Sequence, residues 1–304
     1  MLLLVSLVSG ATAGQGCPSC AIASIADPSS LLTLSQPALL TAGDGSAPPA
    51  DALRRRWSWE HISEALSAAR LGGPLTVQRD DAGLFPFVGA GALAGLLPAG
   101  SPFGARATET LDGSSFGQRL RHGSEQPLYF SGKILELASG RVVPEATQPL
   151  GSELLEEPWV AALSETAAAA RRSRESKTQG AGAAELQANL WLSSANASTP
   201  LHYDTSTNLF VQLRGRKRFW LLPPTAALQL PLEPAHSPGH RQLKITPPSQ
   251  SEGGEECADS LSERALMEAL PAGLRQQVIV AELGPGEMLW LPACVIRDVR
   301  HNSE

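Results

Sequence analysis

Two side chains that bind metals well, His202 and Asp204, stand two positions apart in the sequence. On a β-strand, residues i and i+2 face the same side, so the imidazole and the carboxylate would point into one cavity. A nitrogen and an oxygen ligand of this kind, completed by one distant histidine, form the facial triad of non-haem Fe(II) sites. A surface histidine followed by a turn aspartate gives the same pattern, so the surrounding residues have to decide between the two interpretations.

Lys217 follows His202 by 15 positions, at the start of an apolar strand, and is one of only four lysines among 24 basic residues. A 2-oxo acid that chelates a metal at one end needs a cation at its far carboxylate, and a compact ammonium suits such a contact deep in a barrel. Thr199 and Asn208 flank His202 and could supply the hydrogen bonds that fix such a ligand. The alternative is that Lys217 belongs to a solvated basic turn, since arginines precede and follow it.

The block of residues 189–224 resembles the JmjC/cupin-8 family of Fe(II)- and 2-oxoglutarate-dependent oxygenases, in particular its small protein hydroxylases. Four short motifs carry the resemblance: TPLHYD at 199–204, NLF at 208–210, GRKRF at 215–219 and LPP at 222–224. The fold that this resemblance implies is mainly β with α decoration. It is the double-stranded β-helix of the jelly-roll cupins, JmjC-type, preceded by an N-terminal α/β segment.

By matching position, the resemblance also implies roles for individual residues. His202 and Asp204 would be ligands to Fe(II). The implied contacts to the co-substrate 2-oxoglutarate are Lys217, Thr199, Asn208 and Tyr129. The implied reaction is hydroxylation of a protein side chain, in which 2-oxoglutarate and O2 are converted to succinate and CO2.

The family pattern breaks near the C-terminus, where the third metal ligand should stand. The signature PGEMLWLP at 285–292 matches, but Arg297 occupies the position of the distal histidine, and His301 lies four residues later. Three interpretations stay open. His301 replaces the ligand after a local shift, although the two positions lie about 13 Å apart on a strand. In the second interpretation Arg297 pairs with Asp204, because a guanidinium cannot ligate a metal. The site then has two ligands and binds iron weakly or not at all. In the third interpretation the sequence is truncated or misspliced after Cys294.

These residues need a scaffold, and the chain divides into three parts by composition and spacing. Residues 183–304 are predicted as the core of the β-helix, because short strand-like runs alternate there with Pro/Gly turns. An insertion over 231–260 interrupts this core, as its polar, Pro-, Gly- and Glu-rich composition indicates. Residues 57–182 mix helical and strand-like spacing and are predicted as the N-terminal α/β part of the domain. Residues 1–56 are predicted as a loosely ordered leader.

The first 13 residues, MLLLVSLVSGATA, resemble a secretory signal peptide, with an apolar run over 2–8 before small residues. This run is too short to span a bilayer. An ordinary apolar N-terminus is the alternative, because no basic residue precedes the run and a glycosylation sequon at Asn196 lies beside the best motif. The first interpretation places the protein in the secretory pathway or endoplasmic reticulum, and the second in the cytoplasm or nucleus.

The composition and the net charge exclude or disfavour several classes of protein. Hydrophobic residues at 42% and charged residues at 18% exclude a disordered acidic tail and a membrane bundle. The net charge of −6 argues against a basic nucleic-acid binder. With a nucleic-acid partner disfavoured, the resemblance implies a hydroxylase that acts on a protein substrate and forms a homodimer. A catalytically inactive cupin-like binding module is the first alternative, and a tRNA or other nucleic-acid hydroxylase is the second.

Overall fold

The structure of the chain is a computed structural model. It describes residues 2–9, 23–25, 34–40, 47–67, 73–81, 83, 85, 107–122, 124, 126–138, 141–143, 148–165, 186–195, 197–233, 241–243 and 266–302. Most of the insertion predicted over 231–260 and the sequon residue Asn196 lie outside these described residues.

The described helices and strands follow one another from β1 to β14 along the chain. In order they are β1 (Leu2–Ser9), β2 (Ala23–Ile25), β3 (Ala38–Leu40), α1 (Asp51–Arg56), α2 (Trp59–Ala65), β4 (Leu75–Arg79), β5 (Ala107–Leu111), α3 (Gly113–His122), β6 (Leu128–Ala138), β7 (Arg141–Val142), α4 (Pro149–Leu154), β8 (Leu186–Ser194), β9 (Ser198–Tyr203), β10 (Asn208–Arg214), β11 (Arg216–Leu222), the 3-10 helix η1 (Pro224–Gln229), α5 (Ala272–Arg275), β12 (Ile279–Leu283), β13 (Met288–Leu291) and β14 (Ile296–Asn302).

The strands form two sheets. The large sheet has the order β2-β3-β13-β10-β1-β8-β6-β4-β5, with β7 beside β6, and the small sheet has the order β12-β11-β14-β9. Most neighbouring strands are antiparallel; the exceptions are the pairs that β1 makes with β8 and β10 and the pair of β2 with β3. Mostly antiparallel sheets with few helices confirm the predicted jelly-roll class.

Strand β10 shows how the sequence places the core on both faces of the large sheet. Alternate side chains of a strand point to opposite faces. Leu209 and Val211 belong to the apolar cluster that the helices cover, together with Leu53 of α1. Phe210 points the other way, into a second cluster with Phe219 and other residues of the small sheet. Asn208 shares the face of Phe210, so this polar residue enters the space between the two sheets.

The register of the small sheet decides which side chains can meet. Strand β14 pairs with β11 so that His301 lies opposite Lys217. It pairs with β9 so that Arg297 lies opposite His202. The one-residue connection between β10 and β11 is Gly215, whose φ of 66° favours glycine and allows the chain to reverse directly.

The structure describes part of the segment that is predicted as a leader over 1–56. Leu2–Ser9 form β1, a strand hydrogen-bonded on both sides within the large sheet, and Asp51–Arg56 form α1. The sequence of a strand paired in parallel on both sides is typically a nearly continuous apolar run. Such a run also matches the pattern of a signal peptide. In the part of the chain that the structure describes, no helix has the length and apolar character needed to cross a membrane.

Candidate functional site

His202 lies on β9, one residue before the end of the strand, inside the space between the two sheets, where its side chain is buried. Its Nδ1 lies 2.7 Å from the carbonyl oxygen of Pro200. Because a carbonyl only accepts, Nδ1 carries the proton and Nε2 keeps its lone pair. Burial and the nearby charge of Arg297 lower the pKa of His202 to about 4. The imidazole is therefore neutral at physiological pH.

Asp204 follows β9 directly and is fixed by backbone and side-chain contacts. Its carbonyl accepts a hydrogen bond of 2.7 Å from the backbone N–H of Cys294, which ties this loop to the turn before β14. Its Oδ2 accepts a hydrogen bond of 3.0 Å from Asn208 Nδ2 and another from Arg297 Nη2. Burial acts to raise the pKa of Asp204, but the charge of Arg297 and these hydrogen bonds outweigh it and hold the pKa below its ordinary value.

Arg297 is the buried cation that pairs with Asp204. Only 1% of this residue is exposed, and its guanidinium carbon lies 5.2 Å from the centre of the Phe210 ring. It forms an ion pair with Asp204, at the carboxylate oxygen that Asn208 also contacts. A guanidinium stays protonated at any physiological pH, so this buried positive charge is permanent.

The residues present do not fit a divalent iron ion. His202 and Asp204 supply two ligands, and the third position of the triad holds a cation that already occupies one oxygen of Asp204. Among the described residues there is no group of three His, Cys, Asp or Glu that could hold a metal ion. A second positive charge beside Arg297 would also be repelled in a site of low dielectric. The geometry therefore supports the interpretation in which Arg297 pairs with Asp204.

The structure does not bring His301 to the other two expected ligands. Strand β14 pairs with β11 in continuous register, so no bulge on that side shortens the distance from residue 297 to residue 301. His301 Nδ1 instead lies 2.5 Å from Ser193 Oγ, and its ring centre is 6.1 Å from that of Tyr129. Burial and the charge of Lys217 keep the pKa of His301 well below its ordinary value. Ligation by His301 would require this segment of β14 to rearrange.

Lys217 lies in the barrel with no exposed surface. No described residue accepts a hydrogen bond from its Nζ. The ammonium instead lies over aromatic faces, 4.9 Å from the ring centre of Trp191 and 6.0 Å from that of Phe210. Burial first, and then the charge of Arg297, lower the pKa of Lys217 well below its ordinary value. The alternative of a solvated basic turn therefore does not describe this side chain, whose neighbours Arg216 and Arg218 pair with Glu282 at the surface.

The remaining expected residues lie on the walls of the same space. Tyr129 on β6 is stacked on Phe85 with ring centres 5.0 Å apart, and Thr199 contacts it from β9. Burial raises the pKa of Tyr129, so its phenol stays protonated. Asn208 is fully buried, and its Oδ1 finds no donor in the described structure. The structure thus gathers Tyr129, Thr199, Asn208 and Lys217 around one buried space.

Two residues of the site, Trp191 and Ser193, were not predicted from the sequence. Both lie on β8, two positions apart, and so face the same side. Trp191 covers the ammonium of Lys217, and Ser193 contacts His301. The available signal was the alternation in the segment LWLSS, which places a tryptophan and a serine on the inner face of a strand.

Replacement of Arg297 by methionine tests the electrostatic role of its charge. Without the guanidinium, His202 loses a source of repulsion and keeps the attraction of Asp204, so its pKa is expected to rise above about 4. A pH titration of the histidine ring signals by NMR measures this shift. Arg300→Met, on the same strand and paired with Asp298, is the matched control and should leave His202 unchanged. An unchanged pKa in Arg297→Met would show that the guanidinium does not act on His202.

A family model described as a cupin-like domain matches residues 140–304, which are 165 of the 304 residues. The matched range contains His202, Asp204, Lys217, Arg297 and the β14 strand, while Tyr129 precedes it. No curated protein matches the chain.

Proposed function

The chain belongs to the cupin-like domain family, and from this premise we propose that it is a binding module for an organic carboxylate held by Lys217. In this proposal Arg297 and Asp204 pair where the resemblance implies a metal ion, and no hydroxylation takes place. The observation that carries the proposal is the fully buried Lys217 Nζ, for which the described residues provide no acceptor.

The charge balance of the buried space supports an anionic ligand. Lys217 and Arg297 are basic, while Asp204 is the carboxylate paired with Arg297. A buried ammonium without a hydrogen-bond acceptor costs free energy, and a carboxylate oxygen would offset that cost with a charge-assisted hydrogen bond. The polar atoms His301 Nε2 and Asn208 Oδ1 also have no partner in the described structure and could orient the rest of a small ligand.

The resemblance implies 2-oxoglutarate as the carboxylate, since its far end is the group that a lysine at this position would hold. Protein-side-chain hydroxylation with Fe(II) is the second candidate function. It is favoured by the placement of His202, Asp204 and Lys217 around one buried space, and it is opposed by Arg297, which takes the place of the third ligand. The net charge of −6 continues to argue against a nucleic-acid substrate.

Metal-independent binding is the direct test of the proposed module. With EDTA present, 2-oxoglutarate is expected to bind the full chain in a calorimetric titration, because the ammonium and not a metal provides the attraction. Lys217→Met should weaken binding at least about tenfold, the equivalent of one charge-assisted hydrogen bond. The same variant should raise the free energy of unfolding by about 1–3 kcal/mol, since a buried group without a partner is removed.

Lys133→Met is the matched control for this test. Lys133 lies at the surface and pairs with Glu136, so its replacement should change neither binding nor stability measurably. Binding that requires added metal, or equal binding by the wild type and Lys217→Met, would contradict the proposed role of Lys217.

Binding of the carboxylate is also expected to take up protons. The pKa of Lys217 is lowered by burial when no anion contacts it, and a bound carboxylate would raise that pKa again. Proton uptake on binding means that the affinity falls as the pH rises above the lowered pKa of the free protein. Calorimetry at one pH in two buffers of different ionisation enthalpy measures the protons exchanged. A binding enthalpy independent of the buffer would exclude this linkage.

Arg297→His tests whether the arginine is what keeps the metal out. The substitution removes the cation and offers a third ligand, a second imidazole nitrogen, beside His202 and Asp204. The variant is therefore expected to bind Mn(II) at least about tenfold more tightly than the wild type. Electron paramagnetic resonance of Mn(II) measures free and bound metal. Arg300→His, at a neighbouring position of β14, is the control. Succinate formation from 2-oxoglutarate by the wild type with Fe(II) would favour the hydroxylase over the binding module.

A further inference from the structure

Strand β1 lies between the two strands of the large sheet that carry the aromatic contacts of Lys217. It runs parallel to β8 on one side, with Val5 opposite Leu190, and parallel to β10 on the other, with Val5 opposite Val211. In the described strand order, β8 and β10 do not pair with each other, and β1 alone joins them. The large sheet would therefore be divided at this point without β1.

The two strands that β1 joins carry residues that surround the ammonium of Lys217. Trp191 lies on β8 and Phe210 lies on β10, and their rings meet edge to face with centres 5.7 Å apart. Lys217 Nζ lies over both rings. Neighbouring strands are about 4.8 Å apart, so one strand between β8 and β10 sets a spacing of roughly 10 Å between them. The aromatic contacts of Lys217 thus depend on a single strand of fixed width between β8 and β10.

Loss of β1 would expose two sheet edges at once. Each edge would present backbone N–H and C=O groups without partners in the middle of a sheet, where such groups are costly. An extended apolar segment aligned parallel to both edges satisfies them, and Leu2–Ser9 is such a segment.

We infer that the gap between β8 and β10 is a strand-acceptor site and that the chain's own N-terminal segment Leu2–Ser9 is its ligand. The aromatic contacts of Lys217 form only while this strand is bound. The same residues carry the pattern of a signal peptide. A molecule from which residues 1–13 were removed would lack β1 and would present an open acceptor site. Removal of this segment would therefore break the aromatic contacts of Lys217.

A proline in β1 tests the inference in the full chain. Val5→Pro removes a backbone donor from the middle of a strand that is paired on both sides, so the Tm is expected to fall by about 5 °C or more. Ala47→Pro, at an exposed residue outside the described helices and strands, is the control and should change the Tm by less than about 2 °C. Equal Tm values for the two variants would overturn the inference. Because the readout is thermal unfolding, the result does not depend on whether a carboxylate binds.

Cleavage of the folded protein provides the second measurement, which remains decisive if Val5→Pro does not fold. A recognition sequence for a site-specific protease is inserted between Gly14 and Gln15, and the full chain is cut after folding. The N-terminal peptide is expected to stay with the protein in gel filtration. Its removal by denaturation should lower the Tm after refolding, and a synthetic peptide of residues 1–10 should restore it, while the same peptide with Val5→Pro should not. A peptide that separates on cleavage with the Tm unchanged would overturn the inference.

Discussion

The ion pair between Arg297 and Asp204 is the interaction on which the site depends. It joins β14 to the loop after β9 inside the protein, and it is supported by the hydrogen bonds that Asn208 and the backbone of Cys294 make to Asp204. The guanidinium of Arg297 is buried and needs a partner, because desolvation of its charge is costly, and the partly buried carboxylate of Asp204 supplies it. The place in which a metal ion would neutralise Asp204 is therefore already occupied by a side chain.

The charge of Arg297 also affects Lys217. The charge of Arg297 adds to the effect of burial on this lysine and lowers its pKa further. A buried lysine of this kind lowers the free energy of unfolding, because no described residue accepts a hydrogen bond from it. Such costs concentrate at functional sites, where a ligand supplies the missing interaction. The buried Lys217 and the buried guanidinium of Arg297 therefore favour binding of an anion over binding of a cation.

The sequence allowed the strands that carry the motifs to be predicted, because their period of two and the Pro/Gly turns are local signals. The same local rule predicted that His202 and Asp204 face one side, whereas the role of Lys217 was implied by the resemblance and not by spacing. Whether Arg297 or His301 meets Asp204 depends on the register between β14, β9 and β11, which is a long-range property that spacing alone does not determine. The pairing of Leu2–Ser9 with β8 and β10 is a long-range property of the same kind. An apolar run of eight residues is typical of a buried strand and of a targeting segment alike, so spacing alone does not predict this pairing.

A double-mutant cycle on Arg297→Met and Asp204→Asn tests the central ion pair most directly. The free energy of unfolding is measured by denaturant titration for the wild type, the two single variants and the double variant. The account predicts that the two substitutions are coupled by at least about 1 kcal/mol. Asp204→Asn leaves the buried Arg297 without its partner, and Arg297→Met leaves the partly buried Asp204 without its partner. Additive effects within about 0.3 kcal/mol would contradict it, since residues that do not interact behave additively.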